Sequence, residues 1–400
     1  MQVVVVGAGI VGLATAYHLH RGGAEVTVLD RSGVAGGASW GNAGWVCPGL
    51  VAPLAEPGGW RHGLRALTDA NAPLAVPKLT PEVADFLARF AGQMTPRRFA
   101  ASIAANAELT REAIPAFERL ASAGVSAPLI RADYVIGADS EATVEAFRKE
   151  VGQISAAGVD VGVRDASASE FPYFSDRVKH ALTITGQAYI DPGAYCADLA
   201  RVVREAGVDL REGVEVASGH SGTSRISLID ARGESYTADA VVVAAGAWSN
   251  QVLGRVFGAG TRIRQTSGRG YSFTVEVDPG HLPAGPVYLP EQRTVLTPYR
   301  TGVRVAGTME FLPPDAPLRP ERITSISSAL APFVEGLDLG NSTDHWVGPR
   351  PVSPNSRPIL DRVDDRGYVV SGHGMWGLVL GPITGERIAG RVLEDARRTS

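Results

Sequence analysis

Gly7, Gly9 and Gly12 stand at G-x-G-x-x-G spacing, and Asp30 follows 18 positions after the last of them. Residues of these types at these intervals can hold a dinucleotide. One glycine makes a tight turn, one lets the backbone approach a pyrophosphate, and one lets a helix and a strand touch closely. The surrounding residues supply the elements such a site needs. Val3 to Val6 form a β-branched apolar run, as expected of a strand buried on both faces. Ile10 to Arg21 suits a helix, whose first N–H groups are free for phosphates. Glu25 to Leu29 reads as a second strand ending at Asp30, whose carboxylate can accept both ribose hydroxyls and would repel a 2′-phosphate. A glycine fingerprint alone is weak, but strand, turn, helix, strand and acid in this order are specific. The chain is expected to bind a dinucleotide, with Gly7, Gly9, Ile10, Val11, Gly12, Asp30 and Arg31 at the contact.

The 400 residues leave room for two or three domains and a large core. A hydrophobic content of 44% with 20% charged residues fits a globular enzyme, and a net charge of −4 gives no reason to expect nucleic acid as partner. Cys47 and Cys196 lie in no metal-ligand spacing, so no metal site or disulfide framework is expected, and reduced thiols fit a cytoplasmic protein. The apolar N-terminus lacks a basic leader and contains the glycine fingerprint, which argues against a signal peptide. Membrane contact is expected to be peripheral at most.

Further along, Gly33 to Gly44 is a glycine-rich loop, and prolines punctuate Trp45 to Trp60. A helical pattern runs from about Thr80 to Ala123, and Pro128 to Ala138 alternates like a strand. Helices are expected at Glu141–Ala157 and about Tyr195–Ala206. Strand-like segments occur at Leu210, Val214–Val216 and Ala238–Ala245. Tyr271–Val277, Val287–Leu289, Thr294–Pro298 and Gly302–Gly307 read as a separate sheet. The tail carries a strand at Tyr368–Ser371, a glycine turn, and a helix from about Leu378 to Leu393. This order describes an α/β protein. Its Rossmann-like nucleotide domain (1–58, 189–260 and 345–400) is interrupted by an α+β substrate domain with a mostly antiparallel sheet (59–188 and 261–344). NAD dehydrogenases usually complete their fold within about 150 consecutive residues. Dispersal over the whole chain favours FAD.

Seven blocks, in order, resemble the D-amino acid oxidase superfamily of flavoproteins, nearest its bacterial D-amino acid dehydrogenases. They are the N-terminal fingerprint, GNAGWVCPGLVAPLAEPG (41–58), ADAVVVAAGAWSN (238–250), RGYSFT (269–274), RVAGTMEF (304–311), GPRPVSPNSRPILDR (348–362) and SGHGMWG (371–377). The resemblance implies non-covalent FAD, since neither cysteine matches the family's known attachment position. It assigns Ser39, Asn42, Ala43 and Gly44 to the loop beside the pyrophosphate and ring. Val216 then lies at the adenine, and Ala245, Gly246 and Trp248 form a flavin-contacting turn. Gly372, Gly374, Met375, Trp376, Gly377 and Leu378 form a second turn. Backbone N–H groups of this second turn would stabilise negative charge on the reduced ring. His373 either takes part in catalysis or fixes that turn. Arg350 in GPRP resembles the family's carboxylate anchor, where a guanidinium fork binds bidentately. Tyr271 either joins it at the carboxylate or is a buried strand tyrosine.

The activity implied is oxidative deamination of a small amino acid, of D configuration or of D-proline type, by hydride transfer from Cα to the flavin. The alternatives are oxidation of an N-substituted glycine or a 2-hydroxy acid, or a flavin monooxygenase, although the G-D-A-type segment of the last class is missing. Some amine oxidases of the superfamily place a lysine over the flavin to activate oxygen. No lysine follows Lys179, and Arg269 stands where the nearest dehydrogenases resemble K-G-Y-S. A quinone is therefore expected as the electron acceptor.

Overall fold

The computed structural model of the chain describes residues 1–57, 59, 74–299 and 302–399. The end of the proline-punctuated segment, with Gly58 and Trp60, lies outside the described residues.

Gln2–Val6 sits in the middle of a six-stranded sheet, paired in parallel with Glu25–Asp30 on one side and Ala240–Val243 on the other. Asp209–Glu212 extends the first flank and Gly367–Ser371 the second, both in parallel, and Ile359–Asp364 closes the second flank as an antiparallel edge. The unbroken run Val3–Val6 follows from this position. Val3 and Val5 face helices Ile10–Arg21, Pro192–Glu205 and Gly381–Thr399, while Val4 and Val6 face Ser249–Phe257 and a small sheet. A strand covered on both faces has no use for alternation. Helices Ile10–Arg21 and Gly381–Thr399 pass so closely that a Cβ on Gly385 would lie 2.8 Å from both Thr15 N and Ala14 Cβ.

The small sheet is antiparallel, formed by Val216–Ser221, Ile226–Asp230 and Ser235–Ala238. The expected strand-like segments at Leu210 and Val214–Val216 therefore serve different sheets, since Asp209–Glu212 joins the parallel sheet and Val216 starts the small one. Likewise the helical stretch from Thr80 is three helices, Pro81–Ala91, Pro96–Arg111 and Ala113–Ser122. Each of the first two has proline at its first position, behind a threonine whose hydroxyl accepts a backbone N–H at 3.3 Å.

A nine-stranded sheet makes the second layer. Thr343–Val352, Thr266–Glu276, Gly302–Phe311, Thr294–Tyr299 and Val287–Leu289 run antiparallel in that order. The sheet continues in parallel to Tyr134–Ala138, then antiparallel through His180–Thr185 to Gly162–Ala166. Leu74–Ala75 pairs in parallel beside Met309–Glu310. Thr343–Val352 belongs to this sheet, and it carries Arg350 towards the nucleotide-binding half. Among the described residues no helix is long and apolar enough to cross a membrane.

Candidate active site

At the carboxyl end of Gln2–Val6 the chain turns through Gly7, whose φ of +118° is left-handed. A Cβ there would stand 2.5 Å from Ala244 O, and one on Gly12 would stand 1.9 Å from Gly7 O. These contacts leave the start of helix Ile10–Arg21 open to a cleft between the ends of the two central strands. Gly7, Gly9, Ile10, Val11, Asp30, Arg31, Ser39, Asn42, Val216, Ala245, Gly246, Trp248, Gly374, Gly377 and Leu378 all line it. Such a cleft lies where open α/β sheets bind ligands. It accommodates a dinucleotide with an extra ring system: glycine-turned backbone at one end, mainly apolar walls along its length, and a second backbone turn at the other.

Six expected cofactor contacts are not among the residues lining this cleft. Gly12 is a packing glycine, as its contact with Gly7 requires. Gly44 is held against Ile190 O and Gly372 against the Ile359 side chain. Ala43, Met375 and Trp376 line a neighbouring cavity of about 350 Å³ instead. Trp376 is fixed there by donating from Nε1 to Ala52 O at 2.8 Å.

Asp30 is busier than its sequence position suggests. One carboxylate oxygen accepts Ala8 N–H at 2.7 Å, and the other accepts Ser32 and Gly33 N–H at 2.8 Å each. It pins the nucleotide-binding turn as well as fronting the cleft, which the acid's spacing alone did not reveal. Arg31 stacks 4.4 Å above the Trp248 ring, and both side chains hold Asp315, at 2.6 and 2.9 Å. Gln265 donates to Gly246 O at 2.9 Å and accepts from Ser371 at 2.8 Å, tying the two turns together. Nothing in the sequence pattern marked Asp315 or Gln265.

Arg350 and Asn42 line both the cleft and the neighbouring cavity. Arg350 has no ion-pair or hydrogen-bond partner among the described residues. Burial alone draws its pKa down to about 10, so it keeps its charge at neutral pH. Its guanidinium lies over Gly270, where an added Cβ would come within 2.2 Å of Cζ. A half-buried, charged fork with no anionic side chain beside it among the described residues is an anion site by its chemistry.

The other two expected catalytic residues are placed differently. Tyr271 is fully buried in the apolar core of the second sheet and lines neither cavity. Its hydroxyl donates to Glu310 Oε1 at 2.5 Å, so it does not reach a carboxylate on Arg350. The pull of Glu310, which also pairs with Arg319 at 2.9 Å, turns it away. His373 fronts the cleft, but burial lowers its pKa to about 4 and leaves it neutral. Thr384 Oγ1 donates to Leu380 O at 2.8 Å, so at 2.9 Å from His373 Nε2 it accepts that ring's proton. His373 anchors the turn to the helix that follows.

The family profile described as DAO: FAD dependent oxidoreductase matches residues 2–391. The chain belongs to this FAD-dependent oxidoreductase family. It is 31% identical to a protein of Xanthobacter autotrophicus named D-amino acid dehydrogenase, over 99% of this chain and 94% of that one. A Methylobacterium nodulans protein of the same name is also 31% identical, with 99% and 97% covered. Among solved structures, the fold is similar to that of glycine oxidase from Geobacillus kaustophilus, at a TM-score of 0.73 and 19% identity over 98% of this chain and 94% of that one. It is similar at a TM-score of 0.76 and 18% identity to the dithionite-reduced L-α-glycerophosphate oxidase of Mycoplasma pneumoniae with FAD bound, with 98% and 94% covered. This DAO family member therefore depends on FAD, and the cleft at the carboxyl ends of its parallel strands is the candidate site for that cofactor.

Proposed function

We propose that the enzyme oxidises an amino acid of D configuration at Cα, giving an imine and then a 2-keto acid. The observation that carries this is Arg350, an unpartnered guanidinium shared by the cofactor cleft and the adjoining cavity. The names of the dehydrogenase relatives point the same way. Arg350 grips the carboxylate through two parallel hydrogen bonds and so fixes the direction of the Cα–H bond. FAD held in the cleft would supply the acceptor for the hydride of Cα. As that bond breaks, the lone pair of the neutral amine becomes the second bond of C=N. Water then adds and ammonium departs, while a proline-type product stays cyclic. Neutral His373 and hydrogen-bonded Tyr271 supply no base, and none is needed once the amine is bound without its proton. The test is anaerobic mixing with D- and L-amino acids. Bleaching of the flavin absorbance by the D series is expected, whereas bleaching only by 2-hydroxy acids, N-substituted glycines or NADPH would overturn it.

FAD is held without a covalent bond in this reading. Cys47 and Cys196 are buried and line neither the cleft nor the cavity, and burial raises both thiols far above their usual range. Neither offers the thiolate that attachment requires. Acid precipitation should leave the yellow colour in the supernatant, and colour on the pellet would refute it.

The acceptor proposed is a quinone. No lysine lines either cavity. Arg269 is fully buried, donating to Ala316 O at 2.6 Å and Pro317 O at 2.9 Å, with Glu310 at 3.4 Å. It cannot supply the stray positive charge that would draw an electron onto oxygen. Stopped-flow mixing of reduced enzyme with air-saturated buffer should give reoxidation slower than turnover, and a quinone should restore the rate. Oxygen reacting as fast as turnover would make it an oxidase.

A further inference from the structure

The cavity beside Arg350 carries charge of its own. Glu56, Glu150, Glu291 and Arg293 line it together with Tyr288, Phe147 and Trp376. Among the described residues no carboxylate acts on Arg350, whose shift comes from burial alone, so these acids form a separate part of the cavity. Glu56 is matched with Arg293 at 3.6 Å. Glu150 has no hydrogen-bond or ion-pair partner among the described residues. Its carboxyl is enclosed by protein on nearly every side, and the residue is half-buried because it fronts the cavity. Among the described residues the uncompensated charge there is negative. The nearby walls are aromatic: Phe147 meets Tyr288 edge-on at 5.6 Å, and Trp45 meets Tyr288 at 5.9 Å. Aromatic walls beside an unpaired carboxylate suit an alkyl stem with a cation at its tip.

We propose that this cavity selects D-amino acids whose side chain ends in a positive charge, with Glu150 receiving the ammonium or guanidinium. The inference rests on the reading of Arg350 as the carboxylate anchor. Arg293 does not favour acidic side chains instead, because Glu56 already neutralises it. The pH behaviour follows from the same groups. Burial and then the Glu56 charge push Glu150 up to about 7, against the opposing pull of Arg293, while Tyr288 is raised to about 12 and stays neutral. Below that pH Glu150 is protonated and attracts a cation weakly. Above it the carboxylate forms, while a lysine side chain remains charged to beyond pH 9.

The test compares kcat/KM for D-lysine and D-arginine with D-norleucine, which has the stem without the charge, using an artificial dye as acceptor at pH 6 and pH 8. Taking a ratio cancels the titration of the α-amine. A hydrogen bond to a charged group predicts a preference of about tenfold or more for the basic substrates at pH 8, shrinking at pH 6. Glu150→Gln should cut that ratio about tenfold and remove its pH dependence. If the variant fails to fold, the wild-type ratios still decide. Equal or better use of D-norleucine would overturn the inference while leaving D-amino acid oxidation intact. A preference for D-glutamate would make Arg293 the receptor and overturn it too. Failure of every amino acid to reduce the flavin would instead overturn the reading of function itself.

Discussion

Arg350→Met lowers kcat/KM by on the order of a hundredfold or more, and the variant keeps its FAD. Methionine preserves most of the stem but removes both donors, and truncating one member of a buried charged pair costs about 2–5 kcal/mol. At 1.4 kcal/mol per tenfold, the middle of that range exceeds a hundredfold. The loss falls on the chemical step as well as on binding, because the fork sets the direction of Cα–H. Nothing nearby can substitute. His373 is neutral with a pKa of about 4, and Tyr271 donates its hydroxyl hydrogen bond to Glu310. Arg350→Lys should recover charge without the planar fork and fall between the two. Steady-state kinetics with flavin absorbance as the loading control checks this. Near-normal kinetics in Arg350→Met would remove the residue from the site.

The nucleotide-binding half was legible in the sequence because its determinants are local. The run Val3–Val6, the glycines that follow and Asp30 lie within one short segment, and each answers to backbone geometry rather than to distant partners. Arg350 was legible only through resemblance, since it is one of 35 arginines and its separation from any anion is a property of the folded chain. Tyr271 illustrates the opposite case. On a strand of alternating side chains its facing depends on the bulge at Gly270/Tyr271, which no residue pattern announced. Glu56, Glu150 and Arg293 were invisible for a plainer reason: they come from three distant segments and meet only around the cavity. Charged residues spaced so far apart look like solvated surface until the fold encloses them.

Gly270→Ala should cost on the order of ten- to a hundredfold in kcat/KM although Gly270 lines neither cavity. Gly270 lies opposite Gly348 in the strand pair, and Arg350, two positions on, folds its guanidinium back over it. The missing side chain is what makes room. A Cβ would stand 2.2 Å from Cζ and Nη2 and 2.7 Å from Nη1, where ordinary contact is about 3.5 Å or more. Because the obstructed atoms are the end of a flexible side chain, the backbone can stay and the guanidinium must move by about an ångström. A displacement of that size at a positioning group costs up to about a hundredfold. Gly268→Ala is the contrasting variant, since its Cβ would press on Met309 Sδ at 2.6 Å and Val352 Cγ2 at 2.8 Å, deep in apolar packing. That change should lower thermal stability more than turnover, whereas Gly270→Ala should melt near the parent temperature. A carboxylate analogue lacking the amine provides the second readout. Gly270→Ala should weaken its binding in step with kcat/KM, because both report where the fork sits. Unchanged affinity and unchanged kcat/KM together would mean that the guanidinium finds its working position from another rotamer, and that Gly270 does not set it.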